Sequence, residues 1–147
     1  MEINSNFMEL LIPSLSENES FCRVVVASFA ARLNPMVEEI NELKTAVSEA
    51  VTNSILHAYE QETVGEIKIK GEIINNSLKL CIEDYGQGIK DLEKAKEPLY
   101  TTKPGLERSG MGFTIMESFM DEVKVQSNPG KGTKVKMKKV FTNSEKE

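Results

Sequence analysis

The sequence predicts an α+β fold: a two-layer α/β sandwich with helices packed on one face of a mixed sheet. Three observations carry this. Apolar residues recur every 3.6 positions over the first third of the chain, and the period switches to two after Gly65. Helical and strand segments are also partly segregated rather than strictly alternating. At 147 residues the chain fits one domain. A chain of this size buries roughly 70% of the surface its unfolded form exposes, so the core needs no staples.

The elements follow in order. Phe7 to Pro13 reads as a short, largely buried strand. Ser16 and Glu19 have capping-box spacing, and Phe21, Val24, Val25, Ser28 and Phe29 then repeat at helical intervals to a stop near Leu33. Asn34 and Pro35 read as N-cap and first position of a second helix. Its stripe of Val37, Ile40, Leu43, Val47, Ala50, Val51 and Ile55 carries it to about Ala58. Ile67 and Ile69, then Leu78, Leu80 and Ile82, alternate on either side of a hairpin turn at Asn75-Asn76. A short helix is expected from Asp91 to Lys96. Glu97 to Gly110, with two prolines and two glycines, reads as a long loop. A helix from Phe113 to Met120 precedes strands from Glu122 to Ser127 and from Thr133 to Phe141. The turn Asn128-Pro129-Gly130-Lys131-Gly132 joins them, and residues 142–147 form a tail.

Composition narrows the function. Apolar residues are 39% and charged residues 28%, an ordinary globular balance. There is no run of about 18 apolar residues to cross a membrane, and the N-terminus lacks the basic and apolar regions of a signal peptide. A cytoplasmic protein of one domain, 1–147, is therefore expected. Cys22 and Cys81 lie far apart in apolar-patterned stretches and read as buried reduced thiols rather than a disulfide or metal site. A net charge of −5 suits duplex DNA poorly. Lys131, Lys134, Lys136, Lys138 and Lys139 form a basic run, but Lys134, Lys136 and Lys138 alternate with Val135 and Met137 as a solvated strand face does, which speaks against a nucleic-acid site.

Four sites stand out. Glu49 and Asn53 lie four apart on the polar side of the second helix, so both point the same way. A carboxylate beside a neutral oxygen ligand suits a magnesium–phosphate site, with Glu49 as base and Asn53 on the metal; the alternative is a solvated helix face. Asp84-Tyr85-Gly86-Gln87-Gly88 ends a strand, where a carboxylate can accept a hydrogen bond from an exocyclic amine and the glycines allow close approach; the alternative is a plain turn. Gly105 to Gly112 opens a helix. It nearly spells a P-loop, but Met111 stands where the lysine belongs; it reads as an anion cradle at a helix N-terminus or as a hinge. Gly130-Lys131-Gly132-Thr133 taken alone is a hairpin tip.

The order of these boxes, Glu49 and Asn53, then Asp84, Gly86 and Gly88, then Gly110 and Gly112, then Gly130, Gly132 and Thr133, resembles the ATP-binding domains of the gyrase, Hsp90, histidine kinase and MutL superfamily. Ser48 to His57, Pro98 to Lys103 and Glu107 to Met116 are similar to the anti-sigma serine kinases of spore-forming bacteria, with the anti-sigma F factors nearest. Leu15 to Phe21 and Val26 to Phe29 extend the likeness to nearly the whole chain.

The resemblance implies ATP and Mg²⁺ as cofactors, held between the helices and a long lid loop. It places Asn53 on the metal, Glu49 as catalytic base, Asp84 on the adenine amine with Gly86 and Gly88 shaping that pocket, and Thr133 beside Asp84. Ser109, Gly110, Met111 and Gly112 cradle the phosphates. Lys103 and Arg108 are, by position, the lid cations for the terminal phosphates. The implied partners are a sporulation sigma factor, held inactive, and an anti-anti-sigma protein phosphorylated on serine. A second copy is also implied, with residues 1–33 as partner surface and Arg23 as a docking residue. Arg23 has an alternative reading as a solvated arginine paired with Glu19. Other readings are a stress-response anti-sigma kinase, or a nucleotide-gated binding module without turnover.

Overall fold

A computed structural model describes residues 5–59, 63–89 and 112–142. Within these, strand β1 (Ser5–Pro13) leads to helix α1 (Asn18–Ala30), a 3₁₀ turn (Ala31–Leu33) and helix α2 (Val37–Asn53). A wide π-turn (Ser54–Ala58) closes α2. Strands β2 (Glu66–Ile74) and β3 (Ser77–Asp84) follow, then helix α3 (Gly112–Phe119) and strands β4 (Glu122–Asn128) and β5 (Gly132–Val140). The expected helix at Asp91–Lys96, the loop at Glu97–Gly110 and the tail beyond Thr142 lie outside the described residues.

The five strands form one sheet in the order β1-β2-β3-β5-β4, and every neighbouring pair is antiparallel, where a mixed sheet was expected. The connections explain this. Asn75, at φ 55°, turns β2 directly into β3, and Asn128 to Gly132 turns β4 into β5. Between β1 and β2 the chain goes out along one helix and back along another. It re-enters at the edge it left, pairing Pro13 with Glu66. All three helices lie on one face, over a core that includes Leu43, Val47, Val51, Ile67, Ile69, Leu78, Ile82, Met116 and Phe141. The other face is solvated. Its central rung runs Glu9, Lys70, Cys81, Lys136, Lys124 across all five strands and borders a shallow depression of about 490 Å³.

Several local expectations are corrected. β1 is an edge strand and not largely buried: Phe7 is 76% exposed and Leu11 is also exposed. Helix α1 starts at Asn18 without a side-chain cap, because Glu19 is taken up elsewhere, by Ser48. The buried row of α1 is Cys22, Val26 and Ala30, not Phe21, Val24 and Ser28. The helix carries two apolar stripes, and the small, tightly fitting one meets α2. Asn34 does not cap α2; it closes the 3₁₀ turn in a left-handed conformation. The α2 cap falls at Met36, whose N–H donates to Glu39 Oε1 at 2.9 Å. Val37 is correspondingly exposed. Cys22 and Cys81 are both free thiols, as expected, but only Cys22 is buried; Cys81 is half-buried on the outer face of the sheet, and burial pushes the Cys22 thiol up to about 11.

Candidate functional site

The C-terminal end of α2 sits between two polar clusters. Apolar contacts of Leu43, Val47, Ala50 and Val51 fix the rotation of the helix, which leaves Glu49 and Asn53 on its half-buried polar side. Both point at the first residue of α3. A Cβ added at Gly112 would stand 3.1 Å from Asn53 Nδ2 and 3.3 Å from Glu49 Oε2. The carboxylate, the carboxamide and a helix N-terminus thus converge on one place, where a dipole and free N–H groups favour an anion.

The second cluster is built around Asp84, the last residue of β3. Its side chain is 5% exposed. Oδ1 accepts from the N–H groups of Gly86 and Thr133, each at 3.2 Å, and Oδ2 accepts from Ser54 Oγ at 3.0 Å. Burial raises the Asp84 carboxyl above its ordinary value, and the hydrogen bonds from Gly86, Ser54 and Thr133 oppose that rise. Close backbone packing frames the carboxylate. A side chain at Gly86 would collide with the Ala58 carbonyl, and one at Gly132 with the carbonyl of Asp84 itself. Gln87 N–H donates to Ala58 O at 2.7 Å, strapping the segment after β3 onto the π-turn. Gly88, at φ 76°, then redirects the chain so that Ile89 N–H donates to Ser127 Oγ at 2.7 Å. Ser127 Oγ lies 2.8 Å from Thr133 Oγ1.

Of the expected site residues, Glu49, Asn53 and Gly112 come together at one end, and Asp84, Gly86, Gly88 and Thr133 at the other. Lys103, Arg108, Ser109, Gly110 and Met111 lie outside the described residues. Arg23 is on α1, with Nη1 3.8 Å from Glu19 Oε1, so the ion pair expected of a solvated arginine is present. Glu19 Oε1 also accepts from Ser48 Oγ at 2.5 Å. Two site residues escape the sequence reading. Ser54 follows Asn53 and joins the clusters by reaching Asp84, and the π-turn beginning there is the kind of helix irregularity found at functional sites. Ser127 anchors both Ile89 and Thr133, and nothing in its sequence context marks it.

The donor set fits magnesium. A carboxamide oxygen and one carboxylate are hard oxygen ligands, and Mg²⁺ typically takes one or two protein ligands with the rest from phosphates and water. Among the described residues no three His, Cys, Asp or Glu side chains cluster as a self-contained cage.

Residues 12–139 match the histidine kinase-like ATPase domain family. The chain is 57% identical over 139 residues to the anti-sigma F factor of Caldanaerobacter subterraneus subsp. tengcongensis, covering 95% of this chain and 96% of that one. It is 58% identical over 136 residues to that of Clostridium acetobutylicum, covering 92% and 94%. Among solved structures, the RsbU and RsbW domains of a Mycobacterium tuberculosis protein superpose with a TM-score of 0.68 at 14% identity, over 92% of this chain and 32% of that one. The catalytic domain of the histidine kinase ThkA superposes at 0.55 with 18% identity, over 93% and 98%. These two likenesses speak for the fold.

Proposed function

The chain belongs to the anti-sigma F factor family of histidine kinase-like ATPase domains, and from that membership we propose that it holds a sporulation sigma factor inactive and transfers phosphate from ATP to a serine of an anti-anti-sigma partner. The observation that carries this reading is the pair of polar clusters at the C-terminal end of α2, Glu49 and Asn53 against Gly112 in one and Ser54 and Thr133 around Asp84 in the other. Asp84 receives the adenine amine, with Thr133 and Ser54 holding the carboxylate in place. Glu49, Asn53 and Gly112 receive the phosphate end. Lys103, Arg108, Ser109, Gly110 and Met111 are assigned to that end from the sequence.

In the transfer, the serine oxygen of the partner bonds to the γ-phosphorus as the bond to the β-phosphate bridging oxygen breaks. Glu49 takes the hydroxyl proton, and ADP leaves with the electron pair of the broken bond. Asn53 would hold Mg²⁺, which would supply neutralisation of the charge that develops in the transfer. Little covalent apparatus is needed, since phosphoryl transfer rests on positioning and electrostatics. Residues 1–33 form the partner and homodimer surface. The support is exposed apolar residues on both sides of the sheet near its open edge, Phe7 and Leu11 on the outer face of β1 and Phe21 and Val24 on α1. Arg23, on the same helix, docks carboxylates of the sigma factor and of the anti-anti-sigma protein.

Size-exclusion chromatography of the chain with a sporulation sigma factor, with and without ATP and Mg²⁺, tests the inhibitory half of the reading. Co-elution that depends on ATP is expected. Separate elution under both conditions refutes it.

A further inference from the structure

Lys139 belongs to the basic run of the sequence but not to the alternation of Lys134, Lys136 and Lys138, and it is 6% exposed. The reason is its parity. Thr133, Val135, Met137, Lys139 and Phe141 alternate onto the inner face of the sheet, while Lys134 and Lys136 stand exposed on the outer face. Its Nζ donates to the Phe119 carbonyl oxygen at 2.6 Å and to Glu42 Oε1 at 3.2 Å. One ammonium therefore ties the last carbonyl of α3 to the side of α2. A cation at a helix C-terminus is also favoured by the helix dipole.

The geometry of the two tied helices gives this contact a role. Glu42, Ala46, Glu49 and Asn53 are spaced four, three and four apart, so they line one stripe of α2 facing α3. Seven residues, about 10 Å of helix, separate Glu42 from Glu49. Seven residues also separate Phe119 from Gly112. The two helices therefore run in opposite directions alongside each other. They are pinned at one end by Lys139 and meet at the other end in the contact of Glu49 and Asn53 with Gly112. We infer that Lys139 is a positioning residue: it sets the spacing of α2 and α3, and through it the distance from Glu49 to the phosphate-binding N-terminus of α3. It touches no substrate. The inference rests on the nucleotide reading of the cleft, but the helix spacing is measurable without nucleotide.

The test compares the full-length chain with Lys139→Met, which keeps most of the buried stem, and Glu42→Gln, which leaves the Phe119 bond intact. Two readouts are taken: the Gly112 amide resonance in the nucleotide-free protein, and kcat and KM for phosphoryl transfer. Lys139→Met is expected to shift the Gly112 resonance and lower kcat at least tenfold, with KM for the protein substrate within twofold. Glu42→Gln is expected to show a smaller change in the same direction. A folded Lys139→Met protein with an unmoved Gly112 resonance and kcat within twofold of wild type overturns the inference. If Lys139→Met does not fold, Glu42→Gln decides: a moved resonance with reduced kcat supports the inference, and an unmoved one overturns it. A wild-type chain that turns over no ATP counts against the nucleotide reading alone, and the Gly112 shift still decides the positioning role.

Discussion

Asp84 shows how a single residue trades stability for binding. Its three hydrogen bonds are all donated to it, so an asparagine placed with its oxygen toward Gly86 and Thr133 keeps two of them and can donate its amide to Ser54 Oγ, whose own proton then turns to another acceptor. What it loses is the acceptor charge for an adenine amine. Asp84→Asn is expected to melt at or slightly above the wild-type temperature while ATP affinity falls about 10- to 100-fold, the worth of one charge-assisted hydrogen bond. Calorimetric titration with ATP and a thermal melt check both halves. The pH dependence has two opposite signs. Burial raises the Asp84 carboxyl, so the folded chain holds that proton more tightly than the unfolded chain. Its contribution to folding stability is complete below the ordinary Asp value, near 3.9, and is lost as pH rises through the raised value. Nucleotide binding needs the carboxylate, so affinity should weaken as pH falls through that raised value, and Asp84→Asn should lack this titration. Glu49→Gln should leave ATP affinity near wild type and slow transfer by roughly 10² to 10⁴, with the lower figure favoured by a loose transition state. The spacing of Glu49 and Asn53 made this end of the cleft legible in the sequence. Ser54 was not, because its function depends on Asp84, thirty residues away, meeting it in the fold.

At the scale of elements, α1 shows where periodicity misleads. It carries apolar residues on two faces, so the pattern alone does not say which face meets α2. Packing density decides: Cys22, Val26 and Ala30 let the helices approach, and the bulkier Phe21 and Val24 are left in solvent. By contrast β2, β3 and α2 were legible, since each has one apolar face only. The outward stripe carries a prediction about assembly. Val24 is 61% exposed, so if the proposed dimer forms through α1, Val24→Glu should leave helix content unchanged while converting it to a monomer in sedimentation equilibrium. An unchanged dimer would move the interface away from α1. Arg23→Ala should weaken sigma-factor and anti-anti-sigma binding by about 2 kcal/mol, the hot-spot range, without changing ATP affinity. Glu19 remains engaged by Ser48 in that variant, so α1 keeps its tie to α2. Calorimetry with each ligand separates the two effects.

Across the whole molecule, sequence order carries more information than any one motif. Each glycine box alone is compatible with an ordinary turn. Folded, the boxes from β3 and from the β4–β5 hairpin meet because β3 and β5 are neighbours in the sheet, which pairs Asp84 with Thr133. The all-antiparallel pairing was less legible, since strand direction depends on how many helices each connection contains. Lys139 falls outside the alternation of Lys134, Lys136 and Lys138 that marks the solvated face, and strand parity places it inside, where Phe119 and Glu42 receive it. The central proposal is transfer of phosphate from ATP to another protein. The most direct test is incubation with ATP, Mg²⁺ and an anti-anti-sigma protein, followed by mass spectrometry of both chains. One phosphoserine on the partner is expected, dependent on Mg²⁺ and strongly reduced with Glu49→Gln. A partner that keeps its mass while ATP is bound, or phosphate found on His57 of this chain instead, would contradict it.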